Sequence, residues 1–181
     1  MTSEAPKSES STFDMAPVVV EGVESPSSTA PSSSTPCAPP LQVEYIRVRP
    51  DRIETRVRIS DKRYAFTNAR IVTKVLAYYP TIGMHACRNH KGRLFSDVMN
   101  HTSVPHLLEH MVVDAQTRRT QAEDRIFTGT TQWSSDDPLL AQVVFSYEDD
   151  LIALEVLNQC VALLNTILES EYSNEATADE R

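Results

Sequence analysis

Glycine is scarce. The four in 181 residues, Gly22, Gly83, Gly92 and Gly129, stand far apart. None falls in a phosphate-cradling loop or a G-x-S-x-G nucleophile turn, which removes the common nucleotide-binding and serine-hydrolase signatures. Cysteine is nearly as rare. Cys37, Cys87 and Cys160 are odd in number and widely spaced, as expected for free thiols in a reducing compartment rather than a disulfide framework. No apolar run approaches the ~18 residues of a membrane span. The start, Met1 to Lys7, lacks the basic and apolar stretches of a secretory signal, so the expected location is cytoplasmic. Positive charge is also thin. The net charge is −8, and no basic patch favours nucleic acid.

The acid lies in the ends. Residues 1–40 and 169–181 each carry −4, which leaves residues 41–168 with no net charge. The first segment also holds ten serines and seven of the eleven prolines. Such a composition buries too little apolar surface to offset its ordering entropy, so residues 1–40 read as a disordered tail and 169–181 as an acidic tail. Val18-Val19-Val20 within the first reads as an incidental apolar patch in preference to a docking motif.

Between the tails the periodicity alternates. Leu41–Pro50 and Arg52–Ile59 read as strands of a hairpin, with Val43, Tyr45 and Arg47 on one side of the first. Thr67 or Asn68 caps a helix carrying Ile71, Val72, Val75 and Leu76. A loop with a short helix around Leu94, Val98 and Met99 precedes a helix that Ser103 caps and that runs to about Arg119. Ile126–Trp133 and Leu139–Tyr147 read as a second hairpin, and a helix with a wide apolar stripe extends from Tyr147 to Leu168. The order predicts an α+β, two-layer sandwich with helices packed on one face of an antiparallel sheet.

The central helix carries the chemistry. Pro105-His106-Leu107-Leu108-Glu109-His110 reads H-x-x-E-H. Residues three and four apart share a helical face, so His106 and His110 stack one turn apart with Glu109 beside them. Two imidazoles so placed can hold a divalent metal, zinc being the expected one, and the carboxylate can move a proton. The bland alternative is a structural helix with hydrogen-bonded histidines. A third ligand is normally needed. Asp114, the acids Glu148, Asp149 and Asp150, and the histidines His85, His90 and His101 all qualify by position. Asp150, where the last strand meets the last helix, is favoured, although acids there also suit a helix N-terminus. Cys87 beside His85 or His90 has the residue types of a nucleophile, but a lone loop cysteine is more often inert.

Several stretches together resemble a known family. His85-Ala86-Cys87, then Gly92-Arg93-Leu94-Phe95, then Val104 to Gln116, and later Val143 to Asp150, are similar in order and spacing to the N-terminal domain of cyanophycin synthetase. The likeness covers about residues 75–168. Pro105 replaces a glycine of that pattern, Asp114-Ala115-Gln116 replaces E-L-Q, and Phe127 to Thr131 lacks its two arginines. Full-length members join aspartate and arginine with ATP-grasp and Mur-ligase-like domains that these 181 residues do not contain, so a standalone domain is expected. The resemblance implies binding of an Asp/Arg polymer, or its cleavage by a metallopeptidase-like site at His106, Glu109 and His110. It also implies association with a cyanophycin-type synthetase, and leaves self-association into a homo-oligomer open. The motif also resembles the pitrilysin-type metallopeptidases, whose third ligand is a distant glutamate.

Overall fold

The computed structural model describes residues 38–89, 91–120 and 125–176. Residues 1–37 of the tail expected over 1–40, His90, residues 121–124 and residues 177–181 lie outside them. Four strands, β1 (Leu41–Val48), β2 (Arg52–Ile59), β3 (Gly129–Trp133) and β4 (Leu140–Ser146), form one antiparallel sheet in the order β1-β2-β4-β3. Three helices, α1 (Ala69–Leu76), α2 (Val104–Thr120) and α3 (Asp150–Ala176), complete the α+β fold expected from the sequence.

The strands explain themselves by alternation. Ile53, Thr55, Val57 and Ile59 of β2, with Ala141, Val143 and Phe145 of β4, are buried on the inner face, whereas Arg52, Arg56 and Arg58 point outward. β1 departs from the simple alternation. Its register slips between Val43 and Tyr45, so Val43 pairs with Val57 on the inner face and Tyr45 with Arg56 on the outer one. The extra residue of this bulge reverses the parity of everything after it. Val43 and Tyr45, expected on one side, therefore lie on opposite sides.

α2 packs against β3, β4 and α3, and α3 also reaches β1 and α1. Asn68, with its side chain accepting from Ile71 N at 2.9 Å, caps α1. Ser103 Oγ accepts from His106 N at 3.3 Å and starts α2. α3 is long and apolar enough over Asp150–Ser173 to cross a membrane by length and composition alone. Here Ala153, Val156, Leu157, Cys160, Leu164 and Leu168 are buried in the core instead, and the Asn165 amide exchanges hydrogen bonds with the Leu41 backbone at 2.8 and 2.9 Å.

α3 does not end near Glu169. Glu171 is buried at 4% exposure and accepts from Lys74 Nζ at 2.9 Å, with Arg70 at 3.3 Å, and Tyr172 meets Tyr64 edge to face. Packing against α1 thus carries the helix past the point where composition turns polar.

Candidate metal centre

The site is built where α2 meets the loop before it. That loop is held in three 3-10 turns, Ile82–Met84, Phe95–Asp97 and Met99–His101, where the sequence suggested one short helix. Between the first two turns the chain doubles back. Cys87 N donates to Arg93 O and Phe95 N donates to His85 O, both at 2.9 Å. In such an extended pair, residues two apart face one way. His85 and Cys87 accordingly both approach α2, and this is the physical sense of the H-x-C spacing.

Cys87 Sγ lies 3.5 Å from His106 Nε2. One ligand atom each from Cys87, His106 and His110 falls within 4.8 Å of the others. A tetrahedral zinc site has ligand separations of roughly 3.3–3.8 Å, from bond lengths of about 2.0–2.3 Å. The Cys87–His106 edge already has that length, and the other edges, none longer than 4.8 Å, need to contract by at most about 1.5 Å. The donor set, two imidazoles and a thiol, is one that zinc accepts. The residues therefore fit the ion.

The rings are clamped. Phe95, with no exposed surface, stacks on His110 with centroids 3.9 Å apart and meets His106 edge-on at 5.3 Å. His106 Nδ1 lies 2.7 Å from Thr102 Oγ1, and His110 Nδ1 lies 3.3 Å from His85 Nδ1. Burial pushes the His106 pKa down. Burial, with His106 and His85 alongside, pushes that of His110 down to about 3, so His110 is a neutral imidazole. Burial raises the Cys87 thiol; a bound metal would reverse that by taking the thiolate.

Glu109 occupies a pocket against β3. Its carboxylate accepts from Thr131 Oγ1 at 2.6 Å and is only 6% exposed. Gly129 makes the space. A Cβ there would lie 2.5 Å from Glu109 Cγ and 2.8 Å from Oε1. Burial raises the Glu109 pKa to about 7, and the Thr131 hydroxyl only partly offsets it. A carboxyl at that value both takes and gives a proton near neutrality.

α2 brings His106 and His110 together, and the donor that lies with them is Cys87. Among the described residues, the grouped donors are Cys87, His106 and His110, and Asp150 is not in the group. Of the acids before and at the start of α3, Asp149 caps the helix, its Oδ1 accepting from Ile152 N at 3.0 Å, and Glu148 makes an exposed ion pair with Arg125 at 2.9 Å. Asp150 is the half-buried first residue of α3. Asp114 lies outside the group but beside it, bonded to His85 at 3.2 Å. His101 is exposed and stacks on Phe66. Phe95, Gly129 and Thr131 stand in stretches that carry the family resemblance, but their roles, like that of Thr102, depend on tertiary proximity and do not show in the sequence. The H-x-C spacing was a visible signal for Cys87, set aside because a loop cysteine is usually inert.

The protein-family model of the cyanophycin synthase-like N-terminal domain matches residues 56–169, well over half of the chain. No curated protein matches.

Proposed function

The chain belongs to the cyanophycin synthase-like N-terminal domain family, and from that premise we propose that it is a metal-dependent hydrolase of an Asp/Arg polymer, working in cyanophycin metabolism alongside a cyanophycin-type synthetase. The observation that carries this reading is the convergence of Cys87, His106 and His110 beside a buried Glu109 whose pKa is about 7. The three donors would hold zinc, with Cys87 in the third place. The ion supplies Lewis acidity toward a peptide or isopeptide carbonyl and acidifies water. The chain's own residues do the rest. Glu109 accepts a proton from the attacking water and returns it to the leaving amine. Thr131 aims the carboxylate, and Phe95 holds both imidazole planes.

Metal analysis of purified protein tests the first half. Stoichiometric zinc, lost in the His106→Ala, His110→Ala double variant, is expected. Glu109→Gln then separates chemistry from binding: zinc stays and polymer cleavage stops. Cleavage surviving in Glu109→Gln sinks the mechanism.

A second reading, a non-catalytic polymer-binding module, has its own support on the other face of the sheet. Tyr45, Arg56, Gln142 and Gln132 are register neighbours that make one row across all four strands. The Arg47 and Arg56 guanidinium groups lie 5.4 and 5.6 Å from the Tyr45 ring centroid. Two depressions of about 250 and 480 Å³ share Arg56 and Gln142. Guanidinium and amide groups in line suit a carboxylate-bearing chain. Co-sedimentation with insoluble polymer checks it. Arg56→Ala and Tyr45→Ala should weaken pelleting if this face binds, and unchanged pelleting rules the face out.

A further inference from the structure

We propose that Arg93 is a specificity-determining residue of this site: its unpaired guanidinium, opposite Cys87 at the rim, takes a carboxylate that the substrate carries beside the bond to be cut. The inference rests on the hydrolase reading above and adds to it the charge of the substrate next to the metal centre.

The backbone places Arg93. Cys87 N donates to Arg93 O and Phe95 N donates to His85 O, on either side of the bridge between Ala86 and Leu94. Residues directly opposite across an antiparallel pair share a face. His85, Cys87, Arg93 and Phe95 therefore stand on one face, and Ala86 and Leu94 on the other. Burial agrees, since Ala86 and Leu94 are exposed while Cys87 and Phe95 are buried against α2. Arg93 shares the inward face and is nevertheless exposed. It lies where the buried donors meet solvent, across from Cys87 and two residues before the ring that touches both His106 and His110.

The fold makes no use of this charge. Among the described residues, every arginine outside the loop has an acid or a tyrosine ring against it, whereas Arg88 and Arg93 have neither. Asp97 is the nearest acid along the chain, but its Oδ2 accepts from Leu94 N at 3.0 Å. Gly92 admits it there, since a Cβ at that position would run into the same oxygen. Asn89 ties the loop further: its Oδ1 accepts from Lys91 N at 2.8 Å and Gly92 N at 2.9 Å, and its Nδ2 donates to Cys87 O at 3.3 Å. A side chain on a backbone so held keeps its place relative to Cys87. A planar guanidinium takes a carboxylate through two parallel hydrogen bonds, which a bare surface cation does not need. Arg88 is the comparison. It carries the same unpaired charge, but it follows Cys87 and alternation turns it to the Ala86 side.

Calorimetry reads the pairing directly. Soluble Asp/Arg oligomers, with free carboxylates or as their methyl esters, are titrated into the full chain carrying Glu109→Gln, so that none is cut. The free acid should bind about 10-fold more tightly than the ester. Arg93→Gln should remove that difference by weakening the acid alone, Arg93→Lys should restore part of it, and Arg88→Gln should leave it whole. With Glu109 intact, Arg93→Gln should raise KM for the oligomer about 10-fold at unchanged kcat. Discrimination between acid and ester that survives Arg93→Gln overturns the proposal, and if Arg56→Ala then abolishes it, the outer sheet face is the carboxylate site. Binding of neither form, or an equal loss in Arg88→Gln, overturns it as well. If discrimination depends on Arg93 and the unmodified chain cleaves nothing, the carboxylate site stands and the hydrolase reading falls. If Arg93→Gln cleaves the oligomer with unchanged KM and discrimination, the hydrolase reading stands and this proposal falls.

Discussion

Replacing Glu109 with glutamine should stabilise the metal-free protein at alkaline pH and leave it nearly unchanged in acid. Burial raises this carboxyl from an ordinary value of 4.5 to about 7. Each unit is worth about 1.4 kcal/mol, so the ionised folded state carries a penalty of about 3 kcal/mol. The sign follows from the direction. The folded protein holds the Glu109 proton more tightly than the unfolded chain does. The advantage of holding it is complete below about pH 4.5 and is lost as pH rises through 7. Glutamine has nearly the same shape, can accept from Thr131 Oγ1, and never ionises. The variant should therefore be more stable than the wild type by about 3 kcal/mol near pH 8, and within about 1 kcal/mol of it near pH 5. His110, held neutral in the fold, loses stability as pH falls below its ordinary 6.5, in the opposite sense. Both proteins share that loss, so it cancels in their difference. Urea unfolding at the two pH values, with a chelator present, measures the quantity. An advantage that does not change with pH would refute the buried, high-pKa carboxyl, and so would a variant less stable near pH 8.

Other perturbations follow from single contacts. Gly129→Ala places a methyl 2.5 Å from Glu109 Cγ; it should cost about 1–3 kcal/mol by overpacking and lower polymer cleavage about 100-fold through misplacement of the carboxylate, as seen by unfolding and turnover together. Cys87→Ala should weaken zinc at least ~10-fold while Asp150→Ala should not; the opposite pattern in a chelator competition would give the third place to Asp150. Glu171→Gln should cost about 1–3 kcal/mol in urea unfolding at neutral pH, because Lys74 and Arg70 lose a nearly buried carboxylate. Burial alone would raise that carboxyl, but Lys74 and then Arg70 hold it below the usual range, so the difference should vanish as pH falls through the acid range.

Period and punctuation made most of the architecture legible. Ser103 and Asn68 announce helices because a cap is a local event, and the two hairpins show in alternating burial. The bulge in β1 was also written in the chain: Leu41, Val43, Ile46 and Val48 keep one face only if a residue is inserted among them. A strict period of two hides it. The continuation of α3 was not legible, since Glu171 and Tyr172 look like tail residues until Lys74 and Tyr64 are placed beside them. At the site, spacing along α2 gave His106, Glu109 and His110 their shared position. Cys87, which groups with His106 and His110, comes from a loop that a one-dimensional pattern cannot fold.

α2 itself breaks the rule by which helices are usually found. Its buried side includes Glu109, His110, Asp114 and Gln116 beside Leu107, Leu108, Met111 and Val112. A helix chosen for packing alone would place aliphatic residues at the first four positions, because each buried polar group needs a partner to offset its lost hydration. Gln116 obtains one from the Ser146 carbonyl at 3.2 Å and Asp114 from Thr81, His85 and Arg118. Among the described residues, the Thr131 hydroxyl is what Glu109 has to set against a desolvation that raises its pKa to about 7. His110 is likewise too buried to take a proton in the ordinary range. Groups kept uncharged or half-charged at such expense are misplaced as structural elements, and they are well placed as a lone-pair donor and a proton carrier. That contrast on one helical face, with Gln116 hydrogen-bonded and Asp114 held ionised beside Arg118 while Glu109 and His110 are kept short of full charge, is the physical argument for chemistry at this site.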